Sequence, residues 1–155
     1  MDQQTAQLPF DNLEQLAEVL TVTFTGDTNT VKQASDLLDQ MAAVDYLRFA
    51  RNLFEIINIQ NAQGNAKVSP TCCLKSFIDQ QMKIKNSAII ALTRITLAMA
   101  KANTVSAEMR NFAIKGVIES LYSDFVTLPM KVNLQYFLLL LYTMDVGKNY
   151  GVDLN

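Results

Sequence analysis

Residues 11–41 read DNLEQLAEVLTVTFTGDTNTVKQASDLLDQM, and their punctuation decides the fold class. Asp11 and Glu14 stand at capping-box spacing, and Leu13, Leu16, Ala17, Leu20 and Phe24 then share one helical face until Gly26. Thr30 and Gln33 repeat the signature, with Val31, Ala34, Leu38 and Met41 at the same period. TVTFT at 21–25 alternates as a strand would, but it continues the first apolar stripe and reads as a helix tail. Two such helices joined by a short loop pair antiparallel.

The rhythm continues outward. Asp45 opens a third helix through Leu53, Phe54, Ile56 and Ile57, and the polar run QNAQGNAK ends it. Ser69 caps a fourth with Pro70 in its first turn, where a missing N–H costs nothing. Asn86 or Ser87 opens a fifth through Leu92, Ile95 and Met99. A sixth runs from Ser106 through Phe112, Val117 and Leu121, and a seventh from Pro129 through YFLLLLY to about Asp145, with Gly147 as its stop. Odd-numbered helices thus begin near 11, 45, 86 and 129, a step that brackets the period of helical-repeat arrays. The expected fold is all-α, an α-solenoid of three to four HEAT-like antiparallel pairs forming one domain over 1–155; a compact helical bundle is the competing architecture. Leu13, Leu16, Leu38, Leu53, Phe54, Leu74 and Phe77 are the expected core.

Composition agrees with a packed core. Half of the 155 residues are hydrophobic and 18% are charged, with five glycines and three prolines, which excludes a disordered or loop-rich scaffold. MDQQTAQLPF is not a signal peptide, and the longest apolar run falls far short of the roughly 20 residues that span a bilayer. No membrane insertion is expected. Because GKNYGVDLN follows an apolar helix closely, the chain reads as a fragment of a longer solenoid.

Chemistry-bearing residues are few. Adjacent Cys72 and Cys73 are poorly placed to bridge each other, and no histidine exists to complete a zinc site, so both read as small packing residues in a helix. Without histidine there is no imidazole base, and the glycines at 26, 64, 116, 147 and 151 never form a phosphate loop. The residues point away from an enzyme and from any cofactor or metal. Charge is uneven: residues 1–60 hold nine acids and three bases, residues 61–115 eight bases and two acids. Lysines 67, 75, 83 and 85 could face an acidic partner or solvate an outer face; a pI near 5.0 and the lack of interleaved aromatics argue against nucleic acid.

NLEQLAEVLTVTF (12–24), TVKQASDLLDQM (30–41), FARNLFEIIN (49–58) and CCLKSFIDQQM (72–82) together resemble the N-terminal domain of importin-β-type nuclear transport receptors, the karyopherins. Val31, Lys32, Gln33, Ala34 and Leu38 fall on that family's K-Q-A-E-x-x-L helix, and Leu74 to Ile78 on its L-K-N-x-I segment; LPMKVNLQYFLLLLYTMD (128–145) is similar to a later helix. Ser69, Pro70 and Met82 depart from the family's arginine, glutamine and tryptophan, and Asp145 is followed by Val-Gly-Lys where D-x-P-x-x-W is usual.

The resemblance implies a curved HEAT-repeat stack, present in cytoplasm and nucleus, that binds the GTP form of the small GTPase Ran together with cargo proteins. It places Ran on the second helix of each pair, here Lys32, Gln33 and Asp36, then Lys75 and Asp79. In each helix the lysine and the aspartate share a polar stripe at i,i+4 spacing. The alternative is a helical-repeat adaptor for other proteins, without Ran dependence.

Overall fold

A computed structural model describes residues 8–59 and 71–144, with the side chains of 71–77 excepted. Among the described residues there are six helices and no strand: α1 (Leu13–Thr25), α2 (Thr28–Val44), α3 (Tyr46–Ile57), α4 (Thr71–Lys101), α5 (Ala107–Leu121) and α6 (Leu128–Thr143). None of these helices is long and apolar enough to cross a membrane.

Asp45 caps α3, accepting from the Arg48 N–H at 3.2 Å, and Ser106 caps α5, accepting from the Met109 N–H at 3.1 Å, as their sequence positions predict. Pro129 lies in the first turn of α6, and TVTFT is the end of α1. The first two caps differ from expectation. Asn12, not Asp11, caps α1, taking the Gln15 N–H at 2.9 Å, because Asp11 instead pairs with Arg48 of α3. Asp27, not Thr30, caps α2. Its Oδ1 accepts the Thr30 N–H at 2.9 Å and also takes the Thr30 hydroxyl, which holds its carboxyl below the usual range. Gly147, Ser69 and Pro70 lie outside the described residues.

The larger correction is α4. The expected fourth and fifth helices are one, 31 residues and about 46 Å long, with no break at Asn86 or Ser87. Short polar side chains open helices when they turn back onto their own backbone. Here neighbouring helices take them: Ser87 is buried, shares a 2.7 Å hydrogen bond with Thr23 of α1 and donates to the Leu20 carbonyl at 3.3 Å, while Asn86 accepts from Asn133 of α6 at 2.9 Å. No glycine or proline interrupts 71–101. The helix stops at Asn103, which takes the left-handed conformation (φ 61°) and lets the Thr104 N–H reach the Met99 carbonyl at 2.9 Å.

Packing follows chain order. α1 lies on α2, α3 on α4 and α5 on α6; the first pair meets the second, α3 meets α5, α4 meets α6, and neither helix of the first pair approaches α5 or α6. One continuous core joins them, with Leu16, Leu20, Phe49, Leu53, Ile57, Leu92, Val117, Leu134 and Phe137 essentially inaccessible. Of the expected core, Leu16, Leu38, Leu53 and Phe54 are buried and Leu13 is half-buried against them, whereas the side chains of Leu74 and Phe77 lie outside the description. Fully burying each such aliphatic side chain contributes roughly 1.5–3 kcal/mol.

Two polar contacts tie helices at that core, one buried within it and one at its edge. Tyr46 of α3 shares a 2.8 Å hydrogen bond with Thr96 of α4, and burial pushes the phenol up to about 12. Asn58, which ends α3, donates to Ser120 of α5 at 3.0 Å. Both fix the register between helices, since a slip would strand a buried polar group at a cost of about 1–3 kcal/mol.

Candidate functional site

The central part of α4 forms one wall of a groove whose other walls are the end of α1 and the beginning of α2. Thr23 and Phe24 come from α1, Val31, Ser35 and Leu38 from α2, and Lys83, Asn86, Ser87, Ile90, Ala91 and Arg94 from α4. The groove encloses about 490 Å³. Its α4 wall exists because Lys83, Ser87, Ile90 and Arg94 recur at helical spacing, so a single uninterrupted helix lines them along one side over about 16 Å.

Its lining combines apolar side chains with two basic ones. Phe24, Val31, Leu38 and Ala91 supply apolar lining, and Ile90 projects with 55% of its surface exposed. Lys83 and Arg94 are the titratable groups among the lining residues. Arg94 reaches across to Asp39 of α2 at 2.9 Å, a half-exposed pair of modest strength that ties α2 to α4. Lys83 is exposed and has no ion-pair partner among the described residues. Among the described lining residues there is no carboxylate, and the nearest acid tied to the groove is Asp39, through its pair with Arg94.

The lysines of the basic segment therefore divide. Lys83 is solvated, as the sequence suggests, but Lys85 is not: it is 2% exposed and donates to the backbone carbonyls of Ile59 and, at 2.9 Å, Phe125. Burial pulls its ammonium below the ordinary lysine range. Lys85 thereby staples the end of α3 and the α5–α6 loop onto α4, a structural duty its position in a charged run does not announce.

The residues singled out for Ran occupy different places. Lys32, Gln33 and Asp36 are exposed on α2; Lys32 and Asp36 form a 3.2 Å i,i+4 pair, turned about 100° around the helix from the groove-lining Val31 and Ser35. Asp79 is exposed on α4, one turn before Lys83 on the Lys83–Ser87–Ile90–Arg94 side, and does not line the groove. Lys75 lies on the same helix, with its side chain outside the description, as do those of Cys72 and Cys73. Among the described residues no ion pair links the α2 stripe to Asp79, and no group of three or more potential ligands could hold a metal.

Phe24, Ile90 and Arg94 were not among the expected site residues. The signal was present, since the 79–83–87–90–94 spacing is legible, but a helix start at Asn86 or Ser87 cuts that stripe in two. Compared with known proteins, the chain matches no family model, no curated protein and no solved structure.

Proposed function

We propose that the chain is a non-catalytic docking module, a short solenoid in which α1/α2, α3/α4 and α5/α6 are three HEAT-like pairs, and that it holds a helical segment of a partner protein in the α1–α2–α4 groove. The carrying observation is the groove itself: an apolar lining with a projecting isoleucine, with the exposed Lys83 and the Asp39-paired Arg94 at its edge and no carboxylate among the described lining residues. Such a surface suits an amphipathic helix that inserts apolar anchors about every four residues and carries acids beside them. The order of packing, each pair meeting only the next, supports the repeat reading over the closed bundle.

The resemblance to importin-β-type receptors names the partner as GTP-loaded Ran, with cargo proteins, and the setting as transport between cytoplasm and nucleus. Exposure of Lys32, Gln33, Asp36 and Asp79 supports it, since contact residues must be reachable. Calorimetry against Ran carrying a non-hydrolysable GTP analogue tests it. Binding of the GTP form alone is expected, weakened about tenfold or more when Lys32 and Lys75 are both reversed to Glu, with the melting temperature unchanged. If neither nucleotide form binds, the transport reading fails and the adaptor reading stands. That one has its own test, a photo-crosslinker at position 90. Adducts with partner proteins from 90 and none from exposed position 18 are expected, and their absence removes the groove as a docking site.

A further inference from the structure

The outer face of α6 breaks the rule that the other helices obey. α2 turns Lys32, Asp36 and Asp39 to water, and α3 turns Arg51 and Glu55. In the 16 residues of α6 the only charge is Lys131, and large apolar side chains occupy its outer as well as its inner side, interrupted on the outside by the neutral polar Asn133, Gln135 and Thr143. Met130, Leu134, Phe137 and Leu141 take the core. On the opposite side Leu128, Val132, Tyr136, Leu139 and Tyr142 are each between 57% and 75% exposed. A helix with large apolar side chains on two opposite sides is stable in water only when both sides are covered.

The patch extends beyond α6. Ile118 of α5, Tyr122 just after that helix and Phe125 of the following loop are also exposed, Tyr122 by 84%. Covering all eight residues would remove on the order of 900 Å² from water, taking roughly 200 Å² for a whole side chain. A standard interface takes about 800 Å² from each partner, and the largest apolar patch on a typical monomer is about 300–600 Å². Three of the eight are tyrosines and none is charged, the composition of an interface centre.

We propose that this face is covered by a second copy of the chain, with the two α6 helices packed antiparallel across a two-fold axis. Two-fold symmetry makes the contact self-complementary, and the midpoint of α6 falls between Gln135 and Tyr136. About that midpoint Val132 of one copy faces Leu139 of the other, and Leu128 faces Thr143. Tyr122 and Phe125, beside the start of α6, come to rest near Tyr142 of the partner. The antiparallel sense also sets each helix N-terminus beside the other's C-terminus, which favours it over the parallel one. This surface is distinct from the α1–α2–α4 groove, and its test does not depend on what the groove binds.

Sedimentation equilibrium of the full chain over a wide concentration range is the test. A mass twice the 17.3 kDa of one chain is expected. Val132→Lys and Leu139→Glu, each alone, should weaken the dimer about a hundredfold or more, while circular dichroism shows the monomers still helical. Together in one chain they should restore it, because each new cation then faces a new anion across the axis, whereas the two lie about 10 Å apart within one helix. A monomer at every concentration, whether its face is bare or covered by residues 145–155, overturns the proposal. So does a dimer indifferent to both single changes, and a double variant no tighter than the singles rejects the antiparallel register.

Discussion

Replacing Ile90 by proline asks whether α4 is one helix or two. In a continuous α4, Ile90 lies near the middle, and its N–H donates to the carbonyl of Asn86. Proline deletes that bond and drives its ring into the same carbonyl, at a cost of about 3 kcal/mol or more. Two terms modify the figure. The side chain is half-exposed, so losing its buried part adds up to about 1 kcal/mol, and the stiffer unfolded chain returns about 0.4–1 kcal/mol. They nearly cancel, leaving about 3 kcal/mol. At roughly 2–4 °C per kcal/mol for a chain of this length, the melting temperature should fall by about 6–12 °C. If instead a helix began at Asn86 or Ser87, position 90 would sit in its first turn, where proline is tolerated. Ile90→Ala is the control, since it removes the same side chain and leaves the backbone intact. Urea unfolding followed by circular dichroism gives both values. A proline variant within about 0.5 kcal/mol of the alanine variant would refute the continuous helix, and with it the α4 wall of the groove.

Further outcomes follow from the buried polar groups and the tightest contact. Burial lowers the pKa of Lys85 in the folded chain, so above that lowered value and up to 10.5 the unfolded chain binds more protons, and stability should rise with pH across that window. Urea midpoints should show this rise in the native chain and lose it in Lys85→Met; the same slope in both would assign the effect elsewhere. Tyr46 has the opposite sign: its raised pKa favours folding below 10, and that contribution is lost as pH climbs from 10 toward 12. Tyr46→Phe should destabilise by about 1–3 kcal/mol at neutral pH, by stranding the Thr96 hydroxyl, and should remove that alkaline loss. A Cβ at Gly116 would meet Cδ2 and Cζ of Phe54 at 2.6 Å, so Gly116→Ala should lose about 1–3 kcal/mol to overpacking and regain at most about 1 in helix propensity. Adding Phe54→Leu should recover part of the loss, and equal melting temperatures for the native chain and Gly116→Ala would show that α3 and α5 are not so closely packed.

Taken alone, the sequence determined the helical class, most helix positions and much of the core, because these follow from information a few residues wide. Leu16, Leu20, Leu38 and Leu53 are spaced so that any helix through them buries one face. Asp45, Ser106, Pro129 and Gly26 act on backbone groups within one turn of themselves. Apart from the cap of α2, where Asp27 takes the place expected of Thr30 through contacts three residues apart, what failed involves a partner far away in the chain. Asp11 resembles a cap, yet it pairs with Arg48; Asn86 and Ser87 resemble a helix start, yet their hydrogen bonds go to Asn133, Thr23 and Leu20; Lys85 resembles a solvated charge, yet it is spent on two distant carbonyls. A short polar side chain has the same local preference whether its acceptor is its own backbone or another helix, and the choice between them is made when the helices meet. Tertiary packing alone therefore decided that α4 is continuous, and only a continuous α4 brings Lys83, Ile90 and Arg94 to one groove with Phe24 and Val31. For the same reason the apolar outer side of α6 could not be told from core by composition: YFLLLLY announces a buried helix, and it takes the packed neighbours to show which of its sides they leave open.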